Sequence, residues 1–236
     1  MSRKSKPSNR SCKVALAFVI DTALNACQVG LFSHKDGSVS EVVALREYMT
    51  RGHQEFIGSA ALQCFEKAGI NPRDVDILGV TLGPGSFTGL RVGLSFAKGI
   101  ASGLGIGLRG FSTLELMGRA ADFHQQRRLV VHDAGRGQVY CQRLEADNAV
   151  SPPESYDLVN LQEIDLGSDW HWLIGSGAPL LAERFAQAQL AAEVLPDLTA
   201  MATLCFASTT VYDDLTPLYM RDADAKVSDK SVVHFA

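Results

Sequence analysis

Two stretches of this chain, far apart in the sequence, are written to one plan, and that repetition narrows the possible folds more than any other feature. V-I-D-T-A-L-N-A-C-Q-V-G-L-F begins at Val19, and V-V-H-D-A-G-R-G-Q-V-Y-C-Q-R-L begins at Val130. Each reads as a buried strand, an aspartate at its C-terminal end, a turn of small or polar residues and a returning strand. Duplication of such a unit implies two lobes of similar build, with Asp21 and Asp133 and their turns facing each other across a cleft. A chain of 236 residues is long enough to give both lobes a core.

The remaining pattern fits two mixed sheets with flanking helices. Lys13 to Ile20, Cys27 to Ser33 and Val39 to Tyr48 read as an antiparallel meander. His53 to Ala68 reads as a helix, because Ile57, Ala61, Cys64 and Ala68 form one apolar stripe closed by Gly69. Asp76 to Leu82 is a buried strand, and a second helix runs from Phe87 to Leu104. Leu129 to His132, Gln138 to Leu144 and Trp172 to Ile174 are further strands, and Leu180 to Ala192 is expected to be helical. The fold class predicted is α/β, a duplicated two-lobe architecture of the actin-like, ribonuclease-H-like (ASKHA) kind. Its expected divisions are a disordered basic tail over 1–12, a first lobe over 13–107, a second lobe over 108–221 whose final segment can return to the first, and a loose tail over 222–236.

Composition excludes several functions. The net charge is -4, yet Arg3, Lys4, Lys6, Arg10 and Lys13 stand in the first thirteen residues with no acid; subtracting that +5 leaves about -9 for the rest. So acidic a body repels a phosphate backbone, which argues against direct nucleic-acid reading by this chain alone. The apolar run Val14 to Ile20 ends on Asp21 without a small-residue cleavage site, and no stretch reaches membrane-spanning length. Five scattered cysteines without a C-x-x-C pair fit a reducing compartment. A soluble, cytoplasmic protein is expected.

Gly83-Pro84-Gly85-Ser86-Phe87-Thr88-Gly89-Leu90-Arg91 joins the second buried strand to the second helix. It lacks the lysine of a P-loop. Free amides at the helix start could hold an anion, or Ser86 or Thr88 could simply cap them. Gly89, Gly93, Ala97 and Ala101 then recur every four residues, a small-residue stripe suited either to this protein's own sheet or to a partner helix. Asp21-Thr22-Ala23 has the form of an aspartic-protease turn, but no second copy follows; an aspartate facing a metal-phosphate, or one capping its own turn, are the other readings. The six histidines form no metal-binding spacing, and there is no G-x-S-x-G elbow.

I-D-T-A at 20–23, G-P-G-S-F-T-G-L-R-V-G at 83–93, A-K-G-I-A at 97–101, D-A-x-R-G-x-V-Y around Asp133 to Tyr140 and P-L-Y-M-R at 217–221 together resemble the TsaB (YeaZ) family. The resemblance runs from about Val14 to Arg221. It implies a non-catalytic subunit that pairs with TsaD, with TsaE as a further partner and a homodimer as an alternative pairing. Together they transfer a threonylcarbamoyl group to the adenosine beside the tRNA anticodon, and tRNA meets this chain only through the complex. It further implies no cofactor or metal of this chain's own, with ATP or ADP and metal on the partner subunits. Where the catalytic relative carries an H-x-x-x-H pair, Thr113 and Met117 stand here. The family's helix pair packs against a partner's equivalent pair, which puts His53, Ile57, Ala61, Cys64, Gly89, Gly93, Ala97 and Ala101 at the expected interface. Asp21, Thr22, Gly83, Gly85, Ser86, Thr88, Arg91 and Asp133 are the expected cleft residues. Gly135, in place of the usual arginine, and Ser176, in place of an aspartate, depart from the family's pattern. The rival reading is an independent actin-like ATPase or a glycoprotease-like peptidase.

Overall fold

A computed structural model describes residues 14–123, 126–146, 148–207 and 215–220. The two expected tails, 1–12 and 222–236, lie outside the described residues. Five strands form the first sheet: β1 (Ala15–Asp21), β2 (Ala26–Lys35), β3 (Ser38–Tyr48), β4 (Ile77–Gly83) and β5 (Gly107–Ser112), in the order β3-β2-β1-β4-β5. The first three are antiparallel, whereas β4 and β5 join β1 in parallel. The parallel joins need crossovers, and α1 (His53–Ala68) and α2 (Phe87–Leu104) supply them.

Alternation along β1 builds two cores from one strand. Phe18 and Ile20 point to one face and pack with Ile57, Ala61, Leu94 and Ala97 of the helix pair. Ala17 and Val19 point to the other, against Leu198, Met201, Ala202 and Cys205 of a later helix, α4 (Leu198–Ala207). The first lobe is thus a sheet between two helical layers.

The second sheet repeats the first. Its strands are β6 (Arg128–Gly135), β7 (Gln138–Glu145), β8 (Asn148–Ala149), β10 (Trp172–Ile174) and β11 (Gln189–Ala191), ordered β11-β10-β6-β7-β8, with β9 (Glu154–Asp157) also on β7. As in the first sheet, an antiparallel hairpin (β6–β7) is followed by parallel strands (β10 and β11). The duplication written in the sequence is therefore a duplication of sheet topology, and the fold is the two-lobe actin-like, ribonuclease-H-like one.

Two expectations are corrected and one element is added. β5 runs to Ser112, so the boundary expected at 107/108 falls at the start of a first-sheet strand, and the short α3 (Thr113–Gly118) follows it directly. Leu180 to Ala192 is not one helix: a 3-10 turn at Ala178–Leu181 and further turns lead into β11. Gln189–Ala191 is drawn to the sheet edge beside β10, and the Arg184 guanidinium holds the preceding turn by donating to the carbonyls of Leu161 and Ile164. Finally, α4 was not foreseen, although Leu198, Met201, Ala202 and Cys205 follow the helical i, i+3, i+4, i+7 spacing. With α4 the chain returns to the first lobe. Leu215 joins the core under α1 and α2, and the Leu218 N–H donates to the Leu82 carbonyl at 2.7 Å.

Candidate functional site

Between the lobes lies a cleft of about 1270 Å3. Its first-lobe wall includes Gly85, Ser86 and Arg91, and its second-lobe wall includes His132, Asp133 and Ser176. Tyr219, from the returning segment, closes one side. Of the eight expected cleft residues, Gly85, Ser86, Arg91 and Asp133 line it; Asp21, Thr22, Gly83 and Thr88 do not.

Asp21 departs furthest from expectation. Its side chain is fully buried, because Gln28 sits directly opposite across the β1–β2 hairpin and takes the carboxylate. The Oδ2 atom accepts from Gln28 Nε2 at 2.9 Å, and Oδ1 accepts from Thr81 Oγ1 at 2.8 Å and from the Ala23 amide at 3.0 Å. Burial raises the Asp21 pKa above the usual carboxylate range, an effect the three donors oppose. Gln28 is itself fixed, accepting from Arg46 Nε at 2.6 Å and donating to the Pro196 carbonyl at 3.1 Å. Both the protease-like reading and the phosphate-facing reading of Asp21 need a carboxylate open to the cleft, and this one is sealed inside.

The glycine-rich turn resolves in favour of the cap. Ser86 Oγ accepts from the Gly89 amide at 3.2 Å, and the Ser86 amide donates to the Ala23 carbonyl at 2.7 Å, so two of the amides an anion would use are occupied. Thr88 is exposed on the first turn of α2. Gly83 has φ +112° and packs against the Leu218 backbone. Arg91 lies with its guanidinium 3.8 Å from the Phe87 ring centroid and donates through Nε to Tyr219 Oη at 2.8 Å. It pins the returning segment to α2.

On the opposite wall, Asp133 Oδ1 accepts from the Gly135 amide at 2.8 Å, an aspartate closing its own turn. The Asp133 amide donates to Ser176 Oγ at 3.0 Å, and that hydroxyl is hydrogen-bonded to His132 Nδ1, also at 3.0 Å. Burial lowers the His132 pKa, so the ring is neutral near pH 7. The serine that departs from the family's pattern therefore ties β6 to the Gly175–Gly177 turn. Thr113 and Met117, one turn apart on α3, are both buried in the core. Among the described residues no three His, Cys, Asp or Glu side chains are grouped to hold a metal.

The eight residues expected to face a partner are instead internal. His53, Ile57, Ala61, Cys64, Gly89, Gly93, Ala97 and Ala101 are all buried within this chain. The glycine positions have a specific cause: Thr22 leans over α2 and donates from Oγ1 to the Gly89 carbonyl at 2.7 Å, and a Cβ on Gly89 or Gly93 would run into Thr22. The small-residue stripe therefore serves this protein's own sheet. What α1 and α2 turn outward is another set, including Gly58 and Leu62 on α1 and Gly99 and Gly103 on α2; Leu62 is 60% exposed, and the three glycines have open space beside them. Cys64 itself is inert, since burial pushes its thiol up to about 11.

Sequence reasoning missed Gln28, Arg46 and Thr81, the shell that captures Asp21. The hairpin register, which places Gln28 opposite Asp21, was the available signal. It also missed Tyr219 as the clasp of Arg91 and the Ser176–His132 contact, neither of which has a local motif. Among the described residues no helix is long and apolar enough to cross a membrane.

Comparison with known proteins gives the family. The family model described as TsaD, tRNA N6-adenosine threonylcarbamoyltransferase, matches residues 45–207. The tRNA threonylcarbamoyladenosine biosynthesis protein TsaB of Escherichia coli K12 is 31% identical over 221 residues, 86% of this chain and 93% of that one. An uncharacterized protein of Mycobacterium tuberculosis H37Rv is likewise 31% identical, over 91% of this chain and 95% of its own. A crystal structure from Pseudomonas aeruginosa, described as similar to peptidase YeaZ, superposes with a TM-score of 0.72 at 22% identity, covering 88% of this chain and all of that one. A second, YeaZ from the same organism, gives 0.67 at 22% identity over 82% and 91%. With sequence identity sustained over most of its length and the YeaZ architecture in both lobes, the chain belongs to the TsaB (YeaZ) family.

Proposed function

We propose that this chain is a non-catalytic subunit of the cytoplasmic machinery that makes threonylcarbamoyladenosine in tRNA. It pairs with TsaD, with TsaE joining the assembly, and a homodimer forms through the same face when TsaD is absent. The observation that carries this reading is the fate of Asp21. The aspartate that an actin-like enzyme of this build would turn toward a metal-phosphate is sealed by Gln28, Thr81 and the Ala23 amide. The buried Thr113 and Met117 support it, because neither replaces the imidazole that the catalytic relative places at each of these positions. On this reading the chain carries no nucleotide or metal of its own. ATP or ADP and metal belong to the partner subunits, and tRNA is met through the assembled complex.

The docking face we assign is the outward side of α1 and α2 around Leu62. A four-helix contact there covers an exposed leucine and lets the open glycines Gly58, Gly99 and Gly103 admit a close helix. The test is reconstitution of the purified chain with its cognate TsaD and TsaE, the threonylcarbamoyl adenylate and unmodified tRNA, with the modified nucleoside quantified by mass spectrometry. Modification that requires this chain, while the chain alone hydrolyses neither ATP nor peptides, supports the reading; full modification without it, or hydrolysis by it alone, overturns it. Leu62→Glu should leave the melting temperature unchanged and weaken TsaD binding by a factor of roughly ten or more, the scale of one lost apolar anchor. Unchanged binding would place the interface elsewhere.

A further inference from the structure

The chain passes between the lobes twice, from β5 into α3 and from β11 into α4. A cleft that closes by hinging relies on a few connecting residues of this kind that are free to turn. Neither crossing here is free. At the first, α3 belongs to both lobes at once. Leu116 is fully buried with Ala17 and Val19 of β1 and Met201 of α4, whereas Leu114 and Met117 are buried with Val130 and Leu144 of the second sheet. The end of α3 lies flush on that sheet, since a Cβ on Gly118 would run into Val130 and Leu144. The strand entering α3 is pinned as well: Ser112 Oγ donates to Oε1 of the buried Gln142 on β7 at 2.7 Å, and Gln142 Nε2 donates to the Ser151 carbonyl at 3.1 Å.

At the second crossing, the Asp197 amide donates to the Leu116 carbonyl at 3.3 Å and so ties the two crossings together. The preceding carbonyl, that of Pro196, accepts from Gln28, which Asp21 and Arg46 hold in place. Beyond the crossings the lobes share a core, for Ala23 and Leu90 of the first pack in one buried cluster with Val130 and Ile174 of the second. Two lobes move freely when the contact between them is small and polar. This contact is apolar at its centre and hydrogen-bonded at both passages. Opening or closing the cleft would draw Leu116 out of one core or Leu114 and Met117 out of the other, and would leave buried amide groups unpaired. We propose that α3, Gln28 and Gln142 form an interlobe lock, α3 as a wedge and the two glutamines as pins. The lobes then move as one rigid body, and the cleft keeps a single width whatever lies in it. The inference does not depend on how the protein pairs with TsaD.

The experiment measures residual dipolar couplings of the backbone amides on the full chain, deuterated and labelled with 15N, in a weakly aligning medium. The expected result is one alignment tensor that fits β1, β2 and β4 of the first sheet together with β6 and β7 of the second. Leu116→Ala takes the wedge out of the first-lobe core and should require two tensors, one reduced in magnitude against the other. Should that variant lose its native far-ultraviolet circular dichroism, Gln142→Met stands in for it. This change keeps a side chain of similar length, removes only the hydrogen bonds at the first crossing, and should separate the tensors to a smaller degree. A second reading comes from Trp170 and Trp172, the two tryptophans of the chain, both in the second lobe, whose fluorescence follows that lobe while circular dichroism follows the whole chain. In urea the two signals should share one midpoint in the native chain and part in Leu116→Ala. Two tensors of different magnitude, or two separate midpoints, in the native chain would overturn the proposal. A single tensor in Leu116→Ala, or in Gln142→Met where it stands in, would overturn it equally by showing that the lobes are held elsewhere.

Discussion

The two lobes share a sheet plan and differ in everything laid upon it. The first has long strands covered on one face by α1 and α2 and on the other by α4. In the second, β10 and β11 are three residues each, and the crossover between them is made of a 3-10 turn and irregular turns where the first lobe has an eighteen-residue helix. Its own core draws instead on loop residues such as Leu161, Leu166 and Trp170. Duplication thus preserved strand pairing, which the backbone enforces, and let the helical cover diverge. The lobe that kept its helices is also the one with an outward helical face to offer a partner.

That contrast can be broken at its strongest point. Replacing Gly93 by Leu pushes a side chain into Thr22 and parts α2 from the β1–β2 turn, so the prediction is loss of stability and not of partner affinity alone. The expected cost is about 3 kcal/mol, seen as a melting temperature roughly 6–12 °C lower. A stable Gly93→Leu protein that merely failed to bind TsaD would show that α2 stands off the sheet and that the stripe faces outward.

A second test concerns pH. Burial raises the folded-state pKa of Asp21 above its ordinary value of 3.8, so the folded protein holds a proton that the unfolded chain releases. This contribution is fully present below pH 3.8 and is lost as pH rises through the folded value. Asp21→Asn removes it; melts of both proteins between pH 4 and 8 should therefore show the native chain losing ground to the variant as pH rises. The opposite trend would mean that the three donors outweigh burial and hold a carboxylate.

The smallest effect is expected in the second lobe. Ser176→Ala removes the link between His132 and the Asp133 amide, but Ser176 is exposed and water can replace it. The cost should stay under about 1 kcal/mol in urea unfolding. A larger loss would show that this bridge, and not helical cover, holds the β6 end of the second lobe.

Legibility followed the same divide. The bounds of α1 were readable because the apolar spacing runs out at Gly69, and those of α2 because its small-residue spacing spans Phe87 to Leu104; the structure adds Gly105 as the left-handed cap of α2. The stretch after Pro179 has a helical composition, but its hydrogen bonding ends in turns, because Gln189–Ala191 gains more by pairing with β10 than by continuing a helix. Which way a stripe faces was not readable at all. Gly89 and Gly93 look the same whether Thr22 or another protein presses on them, and only the hairpin that carries Thr22 over α2 decides it. Asp21 teaches a similar lesson, since its role turns on the residue opposite it in the ladder and not on its neighbours in sequence.

The return of the chain to the first lobe has a consequence for synthesis. During translation β1 and β2 emerge early, with Ala17, Val19 and Phe32 forming an apolar floor, yet α4, which covers that floor, begins at Leu198, 166 positions after Phe32. At about 5–20 residues per second, the nascent first lobe spends on the order of ten seconds or more with one face bare. The second lobe is made entirely within that interval. In the order of manufacture it is an insertion that must be completed before its host can close, so a ribosome stalled before Leu198 would display a sticky half-protein for chaperones to find.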